Sequence, residues 1–143
     1  MILLDTDHVS CLKYPASERG VRLTQKLDAL PAEEEVGVTV ITVEEQMRGW
    51  LATIAKEKSV RRQITPYREL ADLFQFFAEF TIALLDERAT DQFEALRANK
   101  IRLGTMDLKI AAIALVNQAL LLSANRRDFE RVSGLHVENW LEA

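Results

Sequence analysis

The chain opens Met1-Ile2-Leu3-Leu4-Asp5-Thr6-Asp7-His8-Val9-Ser10-Cys11-Leu12. Ile2, Leu3 and Leu4 run without the alternation of a half-solvated strand, stop at carboxylates, and give way to a new apolar pattern from Val9. This reads as a short strand buried on both faces and followed by a helix, the beginning of an α/β fold. An acidic residue at the carboxyl end of such a strand is poorly placed for packing. It is well placed for chemistry, because open parallel sheets bind ligands in the crevice outside those strand ends.

The same alternation continues along the chain. Further strands are predicted at Val36–Ile41, Phe80–Leu85 and Ala119–Ala124, with a last one near Val137. Helices are predicted to about Lys13, over Ser17–Leu30, and from Thr42, where Met47, Trp50, Leu51 and Ile54 form an i, i+3, i+4, i+7 stripe. A stretch opening near Ser59 is interrupted or restarted at Pro66 and carries the stripe Leu70, Leu73, Phe74 and Phe77. Asp86 caps a helix through about Asn99, another spans Met106–Asn117, and a short helical turn covers Arg126–Val132. Strands alternating with helices predict three α/β/α layers around a parallel sheet of four to five strands.

Composition narrows the function classes. The 143 residues suit one ordinary domain, 1–143, and 48% hydrophobic with 28% charged residues is globular rather than disordered. A net charge of -4 and a pI near 5.3 argue against a broadly basic nucleic-acid binder. An anionic substrate must then be held by a local patch or a metal. The lone Cys11 has no disulfide or zinc partner and is expected to pack as a small apolar residue. No basic region precedes Asp5, unlike a signal peptide, and the longest apolar run, Ile110–Val116, is too short for a bilayer. The expected location is cytoplasmic, without membrane contact.

Among the acids, Asp107 is in phase with Ile110, Ala111 and Ala114, so it heads the face its helix buries. An ionised carboxylate left unpaired there costs on the order of several kcal/mol. The plainer reading is a dipole-complementing residue behind a Thr105 cap, worth about 0.3–1 kcal/mol. Glu45 completes a capping box with Thr42 on one reading. On the other it is a site residue, lying opposite its helix's apolar stripe and one turn from Gly49, which clears space beside it. Asn125 and Asp128 follow the fourth strand at the same sheet end as Asp5; they are site residues or a cap and its first turn.

Four segments together carry a resemblance: Leu3-Leu4-Asp5-Thr6-Asp7, Thr42-Val43-Glu44-Glu45-Gln46-Met47-Arg48-Gly49, Gly104-Thr105-Met106-Asp107-Leu108-Lys109-Ile110-Ala111-Ala112 and Ser123-Ala124-Asn125-Arg126-Arg127-Asp128-Phe129. In this order they resemble the PIN-domain nucleases over essentially the whole chain. The tail Phe129–Leu135 with Glu138-Asn139-Trp140 is similar to the VapC-type toxins. The resemblance implies a PIN-like α/β/α sandwich and an endoribonuclease, the toxin of a type II toxin–antitoxin module, that hydrolyses RNA with a water activated by Mg²⁺ or Mn²⁺. By motif position Asp5, Glu45 and Asp107 take the three core acidic places, and Asp128 takes the fourth where many members carry an aspartate in place of Asn125. Asp7 stands where asparagine is usual, and Ser123 where threonine is common.

Crowded carboxylates raise one another's pKa unless a divalent cation makes their charge favourable, and Mg²⁺ needs only one or two of them beside water and phosphate. Asp5 and Asp107 are assigned as metal ligands; Glu45 orients a water or completes a second metal site, and Asp128 binds through water. Thr6, Ser123, Asn125, Arg126 and Arg127 are the candidate substrate contacts, with Lys56, Lys58, Arg61, Arg62 and Arg48 as a more distant basic group that reads equally as solvated helix surface. The alternatives are a PIN-like interaction protein with a weak site, suggested by Asn125, and a phospho-acceptor signalling domain, disfavoured because no lysine follows the fourth strand. The expected partners are RNA, a cognate antitoxin, and a second copy in a homodimer or hetero-oligomer. An antitoxin segment is expected in a groove around Trp50 and Phe76, because Phe76 is out of phase with its helix's stripe.

Overall fold

In the computed structural model, which describes residues 1–142, five parallel strands form one sheet in the order β3-β2-β1-β4-β5. The strands are β1 (Ile2–Leu4), β2 (Val36–Thr39), β3 (Thr81–Ala83), β4 (Leu120–Leu122) and β5 (His136–Glu138). Around them run α1 (Thr6–Lys13), α2 (Glu18–Asp28), α3 (Val40–Lys56), α4 (Ile64–Ala78), α5 (Glu87–Ala98), α6 (Thr105–Val116) and α7 (Arg126–Phe129). β1 is the hub: Leu3 pairs with Gly37 on one side and Leu121 on the other.

Strand alternation builds the two cores. Leu3 and Leu121 face a cluster containing Ala89, Leu108, Ile110, Ala111 and Ala114 of α5 and α6. Ile2, Leu4, Val38 and Leu122 face the opposite cluster, with Val9, Leu23, Leu73 and Phe77 of α1, α2 and α4. The sheet is thus the middle of three layers, as its uninterrupted apolar strands required.

The elements differ from expectation in some boundaries and in one helix face. β2 stops at Thr39 instead of Ile41, because the Thr39 hydroxyl accepts the Thr42 N–H at 3.2 Å and starts α3 early. Thr42 is therefore buried in the first turn, and the capping box with Glu45 does not form. Gly104, not Thr105, is the cap residue of α6. On α4 the two phenylalanines exchange roles: Phe76 packs edge-on to Phe77 at 5.3 Å, whereas Phe74 is 65% exposed. The sheet side of α4 is drawn by Pro66, Leu70, Leu73 and Phe77, and Phe74 lies off that line. Pro66 sits in the first turn of α4, where a missing N–H costs no helical hydrogen bond. No helix among the described residues is long and apolar enough to cross a membrane.

Candidate active site

The strand order changes direction at β1: the chain goes outward to β2 and β3, then returns through α5 and α6 to β4 on the other side. That switch point leaves a crevice at the carboxyl ends of β1 and β4. Asp5 is the first residue after β1 and caps α1, its Oδ1 accepting the Thr6 N–H at 2.8 Å. Ser123, the first residue after β4, donates its hydroxyl to Asp5 Oδ2 at 2.8 Å and accepts the Asn125 N–H at 3.0 Å. Asp5 and Ser123 continue the parity of Leu3 and Leu121, so both lie towards the layer of α6.

Asp107 comes from the first turn of α6, a helix whose Leu108 and Ile110 to Ala114 are all buried. Glu45 arrives from α3. The early start of that helix frees its side chain from any cap, and its Oε2 accepts the Thr6 hydroxyl at 3.2 Å. Asp128, in α7, is close enough to raise the pKa of Asp107, and it pairs with Arg131 at 3.6 Å. The structure therefore brings Asp5, Glu45, Asp107 and Asp128 to one end of the sheet, with Thr6 linking Asp5 to Glu45 and Ser123 linking Asp5 to the backbone of Asn125.

A family model described as PIN domain matches residues 2–135. The chain belongs to the PIN domain family. Ribonuclease VapC2 of Haemophilus influenzae is 32% identical over 80 residues, 53% of this chain and 61% of its own length, so the chain spans about three fifths of the curated relatives it matches. Among solved structures, VapBC-1 from nontypeable Haemophilus influenzae superposes with a TM-score of 0.78 at 19% identity, covering 99% of this chain and 100% of that one. A toxin–antitoxin complex from Klebsiella pneumoniae gives 0.69 at 21% identity, with both chains fully covered. These likenesses establish the fold: this PIN domain is the three-layer α/β/α sandwich expected from its sequence.

The electrostatics of this PIN domain are those of acids that repel one another, with Arg48 acting on Glu45 and Arg131 on Asp128 as the nearby cations. Burial is the main cause that pushes Asp5 up to about 6, with repulsion from Asp7 and Asp107 adding to it and the hydrogen bonds from Thr6 and Ser123 opposing it. Glu45 and Asp107 are raised as well, first by burial, then by neighbouring carboxylates; the Thr6 hydrogen bond opposes the shift at Glu45. Among the described residues no lysine or arginine forms an ion pair with Asp5, Glu45 or Asp107. Nor do three of the acids converge tightly enough to enclose an ion by themselves. That donor set fits a hard divalent cation held by one or two carboxylates and completed by water and phosphate, the usual habit of Mg²⁺.

The basic candidates are less concentrated. Arg126 is exposed and paired with Glu130 at 3.2 Å, while Arg127 is exposed beside it. Arg48 pairs with Glu44 on the outer face of α3. Lys56, Lys58, Arg61 and Arg62 are exposed at and beyond the end of α3, as a solvated surface would be. Gly49, Glu45, Trp50 and Thr53 line a shallow depression of about 230 Å³, and a methyl at Gly49 would meet no atom of the chain. Cys11 packs against the α1/α2 core as expected.

Asp7 belongs to this site, although sequence reasoning treated it only as a departure from the usual asparagine. Its Oδ2 accepts the Ala124 N–H at 2.9 Å, tying the loop after β4 to α1. The signal was its spacing: two residues beyond a strand-end aspartate, in the first helical turn.

Proposed function

We propose that this PIN domain is an Mg²⁺- or Mn²⁺-dependent endoribonuclease, the toxin of a toxin–antitoxin pair. The observation that carries the proposal is that Asp5, Glu45 and Asp107 share the sheet end at the switch point, close enough to act on one another, all raised in pKa and none in an ion pair with a cationic side chain among the described residues. The match to ribonuclease VapC2 supports the reaction class, and the complex from Klebsiella pneumoniae supports the partner.

Asp5 and Asp107 would hold the metal, and Glu45 and Asp128 would act on water bound beside it. When bound, the cation supplies Lewis-acid stabilisation of charge on the phosphodiester and lowers the pKa of a coordinated water. The protein's share is orientation. Thr6 N–H and Ser123 Oγ fix the two oxygens of Asp5, so its remaining lone pairs face the crevice in a set direction. Thr6 Oγ1 holds Glu45 Oε2, leaving Oε1 to accept a proton from the attacking water. Asn125, at the cap of α7, and Arg127, in its first turn, are the groups we assign to the phosphate backbone, where a local cation offsets the chain's net charge of -4. The phospho-acceptor reading fails here because Asp86, after β3, is spent on capping α5 through the Ala89 N–H at 2.9 Å.

The test is cleavage of a structured RNA by the purified protein, with Mg²⁺ or Mn²⁺ and with a chelator. Cleavage should require the cation and fall at least about a hundredfold in Asp107→Asn, the scale of losing a preorganised electrostatic contact. Cleavage that survives both the chelator and the substitution would overturn the proposal.

A further inference from the structure

His8 is the buried titratable group that the proposed mechanism leaves unused. Its ring is 0% exposed on the inward side of α1. Nε2 lies 3.1 Å from the backbone nitrogen of Trp140, and Nδ1 lies 2.6 Å from Asp7 Oδ1. A peptide N–H can only donate, so Nε2 must accept and carry no proton. The ring proton is then on Nδ1 and is donated to Asp7. Asp7 passes the constraint on, because its other oxygen accepts the Ala124 N–H at 2.9 Å. Ala124 stands between Ser123, which donates to Asp5, and Asn125.

The far end of this chain of hydrogen bonds is firmly held. Leu141 is 1% exposed, its carbonyl accepts from Arg22, and its N–H donates to Asn139 Oδ1. Lys26 lies over the Trp140 ring at 5.6 Å. The segment after β5 is therefore fixed to α2 independently of His8, and presents the Trp140 N–H as a rigid donor.

We propose that His8 is a positioning residue for the candidate site: read by the Trp140 N–H at one nitrogen, it aims Asp7 with the other, and so clamps the loop Ser123–Asn125 against α1. The inference rests on the ribonuclease reading for its catalytic consequence but not for its geometry. A carboxylate with a free rotor would hold the Ala124 N–H only part of the time, and the Ser123 hydroxyl would lose its fixed aim at Asp5.

Two substitutions separate the halves of the ring. His8→Asn keeps a donor near the Nδ1 position, whereas His8→Gln keeps an acceptor near Nε2. In the wild type, ¹⁵N NMR should find His8 in the Nδ1–H tautomer. In His8→Gln the Ala124 amide should exchange at least about tenfold faster with Trp140 still protected, and Mg²⁺ affinity and RNA kcat should each fall about tenfold at unchanged KM, the low end for losing an outer-shell partner. His8→Asn should do the reverse at the two amides and keep kcat. Unchanged Ala124 exchange in His8→Gln, or a proton on Nε2, overturns the proposal. If neither variant folds, Trp140→Pro removes the donor from the other end; the His8 ring shifts and Ala124 exchange should then move together, and movement of one alone overturns it. A wild type that cleaves no RNA with any cation would reject the ribonuclease reading, while the amide exchange and Mg²⁺ affinity would still decide the role of His8.

Discussion

Asp5 is 8% exposed and carries a pKa of about 6, well above its ordinary 3.8. The folded protein therefore binds the proton more tightly than the unfolded chain. Stability in metal-free buffer must fall as pH rises from about 4 to about 6 and stay low above that; for this one group the loss is at most about 3 kcal/mol. Glu45 and Asp107 are raised too and add to it in the same direction. Asp5→Asn should consequently match the wild type near pH 4 and exceed it in urea unfolding at pH 7.5 with chelator present. Equal pH profiles for the two proteins would contradict the burial of a charged Asp5. Gly49 permits a second residue-scale prediction. A methyl there meets only open space inside a long helix, so Gly49→Ala should stabilise the protein by about 1 kcal/mol in thermal unfolding. A loss of stability would mean that the depression beside Glu45 is less open than its geometry indicates.

The same helix decides where a partner is expected. Val43, Met47, Phe74, Phe77, Ala78 and Ile82 line an apolar groove of about 310 Å³ between α3 and α4, above the edge strand β3. A second hollow continues it along α3 through Val40 and Leu51. This groove adjoins the surface expected around Trp50 and Phe76, where Lys13 lies over the Trp50 ring at 5.6 Å and Phe76 packs on Phe77 and Phe80. Phe74→Asp should leave folding stability within about 0.5 kcal/mol, since the ring is largely in water. Titrated against the antitoxin proposed above, it should weaken binding about thirtyfold, the size of an interface hot spot. Phe76→Ala should do the opposite, costing about 3 kcal/mol of stability through lost packing. If Phe74→Asp binds normally, the groove is not the docking surface.

At the scale of the whole molecule, carboxylates from the end of β1, from α3 and from α6 share one end of the sheet only because the strand order turns back at β1, so the cost of gathering them falls on the entire fold. A cation that binds the folded state alone should return that stability, about 2.7 kcal/mol at a hundred times its dissociation constant, and the gain should vanish in Asp5→Asn. Calorimetry with and without Mg²⁺ measures it. How much of this was legible in the chain follows from the range of the interactions. Ile2-Leu3-Leu4-Asp5 announced a doubly covered strand ending in chemistry, and the period of Ile110, Ala111 and Ala114 put Asp107 on a buried face, because alternation and helical phase are local properties. Asp86 as a cap and Ser17 ahead of α2 were equally local. Glu45 stayed divided between cap and site because a capping box is a local pattern, whereas the hydroxyl that rejected it belongs to Thr39 at the end of a strand and the one that holds it belongs to Thr6, 39 residues away. Phe74 and Phe76 lie on neighbouring lines of one helix, and only the position of the sheet beneath α4 chose between them. The sequence by itself determined the layers, the acidic strand end and the face of Asp107. The tertiary structure alone decided which oxygens are held, which aromatic ring is left in water, and that Trp140 reaches Asp7 through His8, since each depends on contacts between segments that no periodicity relates.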